Sequence, residues 1–211
     1  PKGTDIAPLL GKSDLLKHAV VAFNLTDSHT SRMSMAPLAV ARLLLEQGAE
    51  PILQVTCRDR NRIAIQADLL GASALGISNL LCMTGDHPSS GDHPDSKPVF
   101  DLEAIGLLNA ISSLQSGVDV GGNKLRGVPD FYPGAVVNPG ADDLDKEIQR
   151  MEQKIEAGAV FFQTQAVYDS DAFGRFMARA RSFNVPVLAG HIMLKSSNMA
   201  RNLNANVPGI S

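Results

Sequence analysis

Six short runs of apolar residues recur along the chain and alternate with segments whose apolar residues fall on one face of a helix. Most of these runs are apolar throughout, which is typical of strands covered on both faces. The predicted strands are AVVAFNLT (19–26), PILQVTC (51–57), NLLCMTGD (79–86), FYPGAVVNP (131–139), VFFQTQ (160–165) and VPVLAGHIM (185–193). The predicted helices are 34–48, 59–76, 101–117, 143–158, 169–183 and 196–206.

The ends of two predicted helices carry local signals. Gly48 and Gly76 stand where the periodic patterns stop, as helix-terminating glycines commonly do. Asp59 is the expected N-cap of the segment 59–76, because its carboxylate can accept hydrogen bonds from the first free backbone N–H groups of a helix.

Strict alternation of strand and helix indicates parallel strands joined by right-handed crossovers. Most predicted strands begin about 26 to 32 residues after the previous one, which is the spacing of βα units. This regularity favours a (β/α)8 TIM barrel over a doubly wound sheet. A complete barrel usually needs ~250 residues, whereas this chain has 211. We therefore expect a single barrel domain, residues 1–211, that lacks the first strand and the last βα units and is incomplete at both ends.

Composition narrows the class of protein. The chain is 44% apolar with a formal net charge of -3, and no basic cluster suggests a nucleic-acid surface. No apolar run approaches the roughly 18 residues of a membrane span, and the N-terminal residues lack the layout of a secretory signal. Cys57 and Cys82 lie within apolar runs and are interpreted as reduced, buried thiols. These features predict a cytoplasmic globular protein.

Polar residues cluster at the ends of the predicted strands, where (β/α)8 barrels have their active face. Asp86 ends one strand beside Gly85, whose backbone can approach a ligand closely. A cap on the following turn is the alternative role of Asp86, and spacing leaves both open. The other polar strand ends are Thr26, Asp27, 56–58, Asn138, Gln163 and Gln165. A polar ring over an apolar barrel is typical of a site for a small organic molecule.

Elimination narrows the chemistry of this ring. The chain has neither a P-loop nor a GxGxxG motif after a strand. His87 and His93 flank Asp92 without a third ligand at fixed spacing, so this segment is interpreted as a solvated loop and no metal is expected. Gln165, if buried, needs hydrogen-bond partners, which the edge of a flavin or pterin ring would supply. The alternative is a side-chain network of Gln163 and Gln165 within the barrel.

Four segments together resemble the methylenetetrahydrofolate reductase family, and most closely its short prokaryotic branch, which has the catalytic barrel only. They are LQVTCRDRNRIAIQADLLGASALGISNLLCMTGDHPSSGDHPDSKPVFDLEAIGLL, GAVVNP, AGAVFFQTQAVYD and PVLAGHIMLKSSNMARNLNANVPGI. The resemblance implies a TIM barrel that binds FAD, with FMN as the alternative. It also implies that NAD(P)H or an electron-transfer protein reduces the flavin, which passes hydride to 5,10-methylenetetrahydrofolate, in a homo- or hetero-oligomer.

The resemblance further implies roles for individual residues. Asp86 and Gln165 match catalytic positions that also contact the folate, and Leu203 stands where the family has an apolar residue against it. Gln54 stands where many relatives have a histidine beside the flavin. The positions that match cofactor-binding residues are Thr26, Gln54, Met83, Thr84, Gly85, Asp86, Asn138 and Lys154.

One departure from the family concerns the general acid. The family's glutamate lies a few residues before the Pro-Lys-Gly that matches residues 1–3, so the sequence is interpreted as part of a longer protein. Two other functions stay open. One is a flavin- or pterin-binding subunit of a larger electron- or methyl-transfer complex, inactive alone. The other is a different barrel flavoenzyme, such as a proline dehydrogenase-like oxidase.

Overall fold

A computed structural model describes residues 1–207, 209 and 210 of the protein, apart from the side chain of residue 206. The chain forms two compact units, Pro1–Pro133 and Gly134–Ser211. Each unit alternates parallel strands with helices, so the predicted parallel α/β fold is confirmed, and this alternation is consistent with a TIM-barrel-like fold. The expected single domain and the missing βα units stay predictions.

The bounds of the elements follow the chain. The first unit contains α1 (Ala7–Leu16), β1 (Phe23–Leu25), α2 (Pro37–Glu46), β2 (Pro51–Thr56), α3 (Arg62–Ala74), β3 (Asn79–Met83), α4 (Ala104–Gln115) and the first residues of β4 (Tyr132–Val137). The second unit continues β4 and contains α5 (Leu144–Glu156), β5 (Phe161–Ala166), α6 (Ser170–Ala180), β6 (Val187–Gly190) and α7 (Ser197–Asn206). Short 3-10 turns lie at His29–Ser31, Pro88–Ser90 and Arg181–Phe183.

The first unit has β2 between β1 and β3. Phe23 lies opposite Pro51, and Leu53 lies opposite Leu80, both in parallel register. Helices pack on these strands, and the side chains in the core of this unit are almost fully buried. The largest of them are Leu44, Ile65, Leu69, Ile77, Leu80, Leu81, Leu107, Leu108, Ile111 and Leu114. This core holds the ends of the three strands, and the loops that follow them, in fixed positions.

The second unit has β5 between β4 and β6. Gly134 lies opposite Phe161, and Phe162 lies opposite Val187. The pairing of β5 with β6 shifts between Gln163 and Ala166, so a bulge interrupts the simple alternation of side chains at this point.

The predicted cap of α3 is wrong, one helix was not predicted, and one strand differs from the pattern of most others. Asn61, not Asp59, caps α3, since its Oδ1 accepts hydrogen bonds from the backbone N–H groups of Ile63 and Ala64, each at 3.1 Å. Helix α1 was not predicted, because its apolar residues form no core-facing stripe and Leu15 is 83% exposed. Strand β6 is not covered on both faces, since Leu188 is 49% exposed.

Other expectations are confirmed. Gly48 and Gly76 adopt φ values of 73° and 82°, the left-handed conformation in which helices commonly end. Cys57 and Cys82 are unpaired and buried. Within residues 1–207, 209 and 210, no helix is long and apolar enough to cross a membrane.

Candidate functional site

The ends of β1 and β2 are joined by a buried carboxylate. Asp27 is 8% exposed, and its Oδ2 accepts hydrogen bonds from the backbone N–H and the hydroxyl of Thr56, at 3.0 and 2.9 Å. The same oxygen forms an ion pair with Arg60. Burying a carboxylate is costly unless it is paired and hydrogen-bonded, and Oδ2 of Asp27 has both kinds of partner.

Arg60 extends this network toward a cavity. Its guanidinium also pairs with Asp68 at 2.8 Å and donates to the carbonyl of Thr56 at 3.2 Å. A solvent-open cavity lies beside it, lined by Ala36, Pro37, Leu38, Leu53, Gln54, Val55, Arg60, Asp68 and Leu69. Gln54, predicted to contact the cofactor, is therefore at a concave surface of the first unit.

Arg58 is a buried cation in this region, with 3% of its surface exposed. Its Nε and Nη2 donate to the carboxylate of Asp59, and its Nη1 donates to Ser31 Oγ at 3.2 Å and to the carbonyl of Ser28 at 3.4 Å. The hydrogen bonds to Asp59 raise the pKa of Arg58 above its ordinary value. The backbone carbonyl of Arg58 also accepts from the N–H of Val99 at 2.8 Å.

Asp86 follows β3 and is exposed. Its backbone carbonyl accepts a hydrogen bond from Ser31 Oγ at 2.9 Å. The cap of the next turn is His87, whose Nδ1 accepts from the N–H of Ser89 at 3.2 Å. The capping alternative for Asp86 is therefore wrong, and its exposed carboxylate remains accessible to a ligand.

Gly85 is required at its position for two reasons. Its φ of 93° lies in the region that residues with a side chain rarely adopt. A Cβ there would also lie 3.0 Å from the Cβ of Thr56. The chain at Gly85 therefore lies directly against the end of β2, which positions the neighbouring residues Thr84 and Asp86.

The remaining predicted cofactor residues of the first unit differ in exposure. Thr26 and Thr84 are exposed, whereas Met83 is half-buried. The hydroxyl oxygen of Thr84 accepts from the N–H of Ala104 at 3.2 Å, and its carbonyl accepts from the N–H of Cys57 at 3.0 Å. Thr84 is thus held by the neighbouring helix and by the residue that follows β2.

The polar loop after Asp86 is fastened to the N-terminal part of the chain. Asp92 accepts hydrogen bonds from Lys2 Nζ at 2.5 Å and from the N–H of Met33 at 2.9 Å, and these contacts hold its pKa well below the ordinary value. His93 Nδ1 lies 2.9 Å from the same carboxylate. Among the described residues, no three His, Cys, Asp or Glu side chains are grouped in a way that would hold a metal ion.

Asn138 follows β4 in the second unit and is tightly packed. Its Oδ1 accepts from the N–H of Gly140 at 3.1 Å, and its own N–H donates to Glu147 at 2.8 Å. A Cβ on Gly209 would lie only 2.2 Å from Asn138 Nδ2. Lys154 donates to the carbonyl of Val136 at 2.6 Å, and burial lowers the pKa of its ammonium group. This contact directs Lys154 toward β4 of its own unit.

Gln165 lies near the end of β5 and is exposed, whereas Gln163 is half-buried and has a partner. The alternative of a buried network thus fits Gln163 better than Gln165. Leu203, on α7, is half-buried. A small solvent-open cavity lies where β4 and β5 end, lined by Pro139, Gly140, Ala166, Val167, Tyr168, Asp169, Ala172, Phe173 and Gly209.

Comparison with known proteins decides the family. The sequence model of methylenetetrahydrofolate reductase matches residues 1–209. The chain belongs to the methylenetetrahydrofolate reductase family. Among its relatives are methylenetetrahydrofolate reductase (NADH) 1 of Arabidopsis thaliana, 27% identical over 67% of this chain, and methylenetetrahydrofolate reductase 2 of Saccharomyces cerevisiae, 27% identical over 81%. The chain spans only 24% and 27% of those two proteins.

One solved structure is similar to this chain in fold alone. The crystal structure of oxaloacetate acetylhydrolase superimposes with a TM-score of 0.56 and 12% identity, covering 90% of this methylenetetrahydrofolate reductase family member and 68% of the other chain.

Two networks at the strand ends were not predicted. The sequence drew attention to Asp27 and to residues 56–58 as polar strand ends, but not to the pairing of Asp27 with Arg60 or of Arg58 with Ser31. The signal in the sequence was the run of charged residues in CRDRNR directly after an apolar strand. Charged side chains that are buried there need partners, so this run could have indicated ion pairs at the strand end. The left-handed backbone of Ser28, Thr30 and Ser31, with φ of 49°, 51° and 55°, had no sequence signal.

Proposed function

We propose that the protein reduces 5,10-methylenetetrahydrofolate to 5-methyltetrahydrofolate by hydride transfer from a bound reduced flavin. The observation that carries this proposal is the family match over residues 1–209. Within the matched region, Asp86 of the segment Thr84-Gly85-Asp86 is exposed. FAD is the proposed cofactor, and NAD(P)H or an electron-transfer protein is the proposed donor of electrons. The full protein is proposed to work as a homo- or hetero-oligomer in the cytoplasm.

The residues of the first unit fit the edge of a flavin ring. Thr26, Thr84 and Asp86 are exposed residues whose hydroxyl and carboxylate groups offer hydrogen-bond donors and acceptors, although the Thr84 hydroxyl oxygen already accepts from the N–H of Ala104. Gly85 has no side chain and adopts a φ of 93°, which lets it pack against Thr56 with the exposed residues Thr84 and Asp86 on either side of it. Met83 and Gln54 are half-buried at the neighbouring strands and would complete the cofactor contacts.

A bound flavin would supply the hydride. The residues of this chain would then bind the flavin and the folate, orient them and set the charge beside the flavin ring. The negative charge of Asp86 beside the ring would lower the reduction potential of the flavin, and the same charge would favour the cationic, ring-opened form of the folate. The exposed amide of Gln165 can donate to and accept from the polar edge of a pterin, and Leu203 offers an apolar contact.

Two assignments in the second unit depend on the family resemblance more than on geometry. Asn138 is proposed to line the cofactor, although its Oδ1 is already bonded to the N–H of Gly140. Lys154 is proposed to lie near the phosphates of FAD, although its ammonium group donates to the carbonyl of Val136. If Lys154→Met bound FAD as tightly as the wild-type protein, the phosphate role of Lys154 would be wrong.

The experiment uses the full-length protein purified under anaerobic conditions. Its absorption spectrum and the mass of the released cofactor identify the flavin, and formation of methyltetrahydrofolate is followed with NADH, with NADPH and with a chemical reductant. Asp86→Asn should bind flavin but lose about 100-fold in rate, as when one group that stabilises transition-state charge is removed. Asp95→Asn, an exposed aspartate of the following loop, is the matched control and should keep the wild-type rate.

The outcomes separate the proposal from its alternative. A protein that binds flavin but reduces the folate only when a partner protein is added would be the subunit of a larger complex. A protein that contains no flavin after purification and binds none when FAD or FMN is added would refute the proposed function.

A further inference from the structure

We propose that Arg58 and Ser31 are positioning residues for Asp86, acting through a chain of hydrogen bonds that we call the Ser31 bridge (Arg58, Ser31 and Asp86). This inference rests on the proposed function in one respect, namely that Asp86 is the functional carboxylate. The contacts that define the bridge all lie within the first unit.

The central contact of the bridge is the hydroxyl of Ser31. It accepts a hydrogen bond from Arg58 Nη1 at 3.2 Å, and it donates to the backbone carbonyl of Asp86 at 2.9 Å, with the carbonyl of His87 close by at 3.1 Å. The bond from Arg58 occupies a lone pair of the hydroxyl oxygen, so the single hydroxyl proton is directed toward these two carbonyls. The peptide group that follows Asp86 is thereby tied to a buried cation.

Arg58 is suited to hold this contact. It is 3% exposed, and the two-pronged pairing of its guanidinium with Asp59 fixes the plane of the group. Its backbone carbonyl also binds the N–H of Val99, where the polar loop ends. Arg58 therefore restrains the loop at its start, through Ser31, and at its end.

The segment that carries Ser31 is itself tightly constrained. Thr30 and Ser31 have φ values of 51° and 55°, and a β-branched threonine in this conformation is unusual. Nη1 of Arg58 also donates to the carbonyl of Ser28 at the start of this turn. A Cβ on Gly91 would lie 1.8 Å from the carbonyl oxygen of Ser31, so the two loops pack backbone against backbone. Such strained conformations persist only where the surroundings hold them, and they are found at functional sites.

The charge arrangement supports the same conclusion. The hydrogen bonds and charge of Asp59 are the main cause of the raised pKa of Arg58, and the carboxylates of Asp27 and, last, Asp86 add to it, so Asp86 and Arg58 lie within electrostatic reach of each other. The contact that links Arg58 to Asp86 is the Ser31 hydroxyl. Neither residue is predicted to touch the folate or the flavin.

The first test measures the position of the loop without any cofactor. Hydrogen exchange of the full-length apoprotein should be faster over residues 86–92 in Ser31→Ala than in the wild-type protein, because the bond to the Asp86 carbonyl is lost. Ser90→Ala, an exposed serine of the same loop, is the matched control and should exchange like the wild type. Unchanged exchange over 86–92 in Ser31→Ala would overturn the inference.

The second test asks whether the bridge acts through Asp86. With the holoenzyme, Ser31→Ala should lower kcat/KM by about 3- to 10-fold, as expected for the loss of one hydrogen bond, while the visible spectrum of the flavin is kept. In the Asp86→Asn background the same change should have almost no further effect, since coupled residues are not additive. Equal losses in the two backgrounds would mean that Ser31 is merely structural, and the inference would be wrong.

Arg58→Lys provides an independent variant. Lysine keeps the charge but cannot pair with Asp59 in two-pronged fashion and still reach Ser31, so it should reproduce the loss seen with Ser31→Ala. Full activity of Arg58→Lys would overturn the role of the guanidinium. If the wild-type holoenzyme failed to reduce the folate, the proposed function would fail, and the exchange measurement alone would then decide whether Ser31 positions Asp86.

Discussion

The buried ion pair at the ends of β1 and β2 makes a quantitative prediction about stability. Asp27 is 8% exposed and accepts two hydrogen bonds from Thr56 and one from Arg60. Asp27→Ala removes all three, leaving a buried N–H of Thr56 without its acceptor and Arg60 without its most buried partner. Breaking a buried pair from one side costs about 3–5 kcal/mol. Because Arg60 keeps its contact with Asp68, we expect the lower part of that range, about 3 kcal/mol.

Asp27→Asn separates charge from hydrogen bonding. The amide oxygen of asparagine can still accept from the N–H and hydroxyl of Thr56, so the loss is confined to the charged contact with Arg60. A hydrogen bond to a charged group is worth about 1.5–3 kcal/mol, and we expect a loss near the lower value. The free energy of unfolding should therefore decrease from the wild type to Asp27→Asn and again from Asp27→Asn to Asp27→Ala.

The assay is urea unfolding at pH 7, followed by circular dichroism at 222 nm. Asp145→Asn is the matched control, because Asp145 pairs with Arg179 on the surface and its side chain is 85% exposed. Exposed ion pairs contribute about 0–1 kcal/mol. If Asp27→Ala destabilised the protein no more than Asp145→Asn, the reasoning about the buried pair would be refuted.

Two further predictions concern pH dependence and packing. The hydrogen bonds from the side chain and the backbone N–H of Arg62 lower the pKa of Asp101 to about 2. The lowered pKa of Asp101 therefore adds to the free energy of unfolding. This contribution is fully present above a pH of about 3.9, the pKa of Asp in the unfolded chain, and it is lost as the pH falls through about 2. Carboxyl-carbon NMR should give a midpoint near 2 that rises in Arg62→Gln, whereas a wild-type midpoint near 4 would be a contradiction. A Cβ on Gly134 would lie 2.3 Å from the buried ring of Phe161, so Gly134→Ala should lower stability by about 1–3 kcal/mol in urea unfolding. Gly174→Ala, with nothing within 4 Å of its Cβ, is the control, and equal stability of the two variants would contradict the packing argument.

The regular elements followed from hydrophobic pattern. The run 51–57 predicted β2, which spans Pro51–Thr56, and the segment 143–158 predicted α5, which spans Leu144–Glu156. These elements have continuous apolar runs or a clear apolar stripe. Helix α1 lacks such a stripe, with Ser13 as its one buried residue among the ten, so no periodic signal identified it.

The candidate site was only partly predictable. Asp86 and Gly85 could be named as candidates because a carboxylate and a glycine at a strand end form a local pattern. The contacts of Arg58 with Ser31 and of Arg60 with Asp27 join residues 27 and 33 positions apart in sequence. Such pairs depend on how the loops pack, and a single sequence carries no spacing rule for them. The bulge between Gln163 and Ala166 likewise has no local signal.

The most direct test of the central claim is a single-turnover reaction of the full-length protein with its flavin reduced beforehand. On anaerobic mixing with 5,10-methylenetetrahydrofolate, absorbance near 450 nm should return as the flavin is reoxidised, and one equivalent of 5-methyltetrahydrofolate should form. Asp86→Asn should give the same product about 100-fold more slowly. A flavin that stays reduced in the presence of the folate, or a rate that is the same in Asp86→Asn, would contradict the assignment.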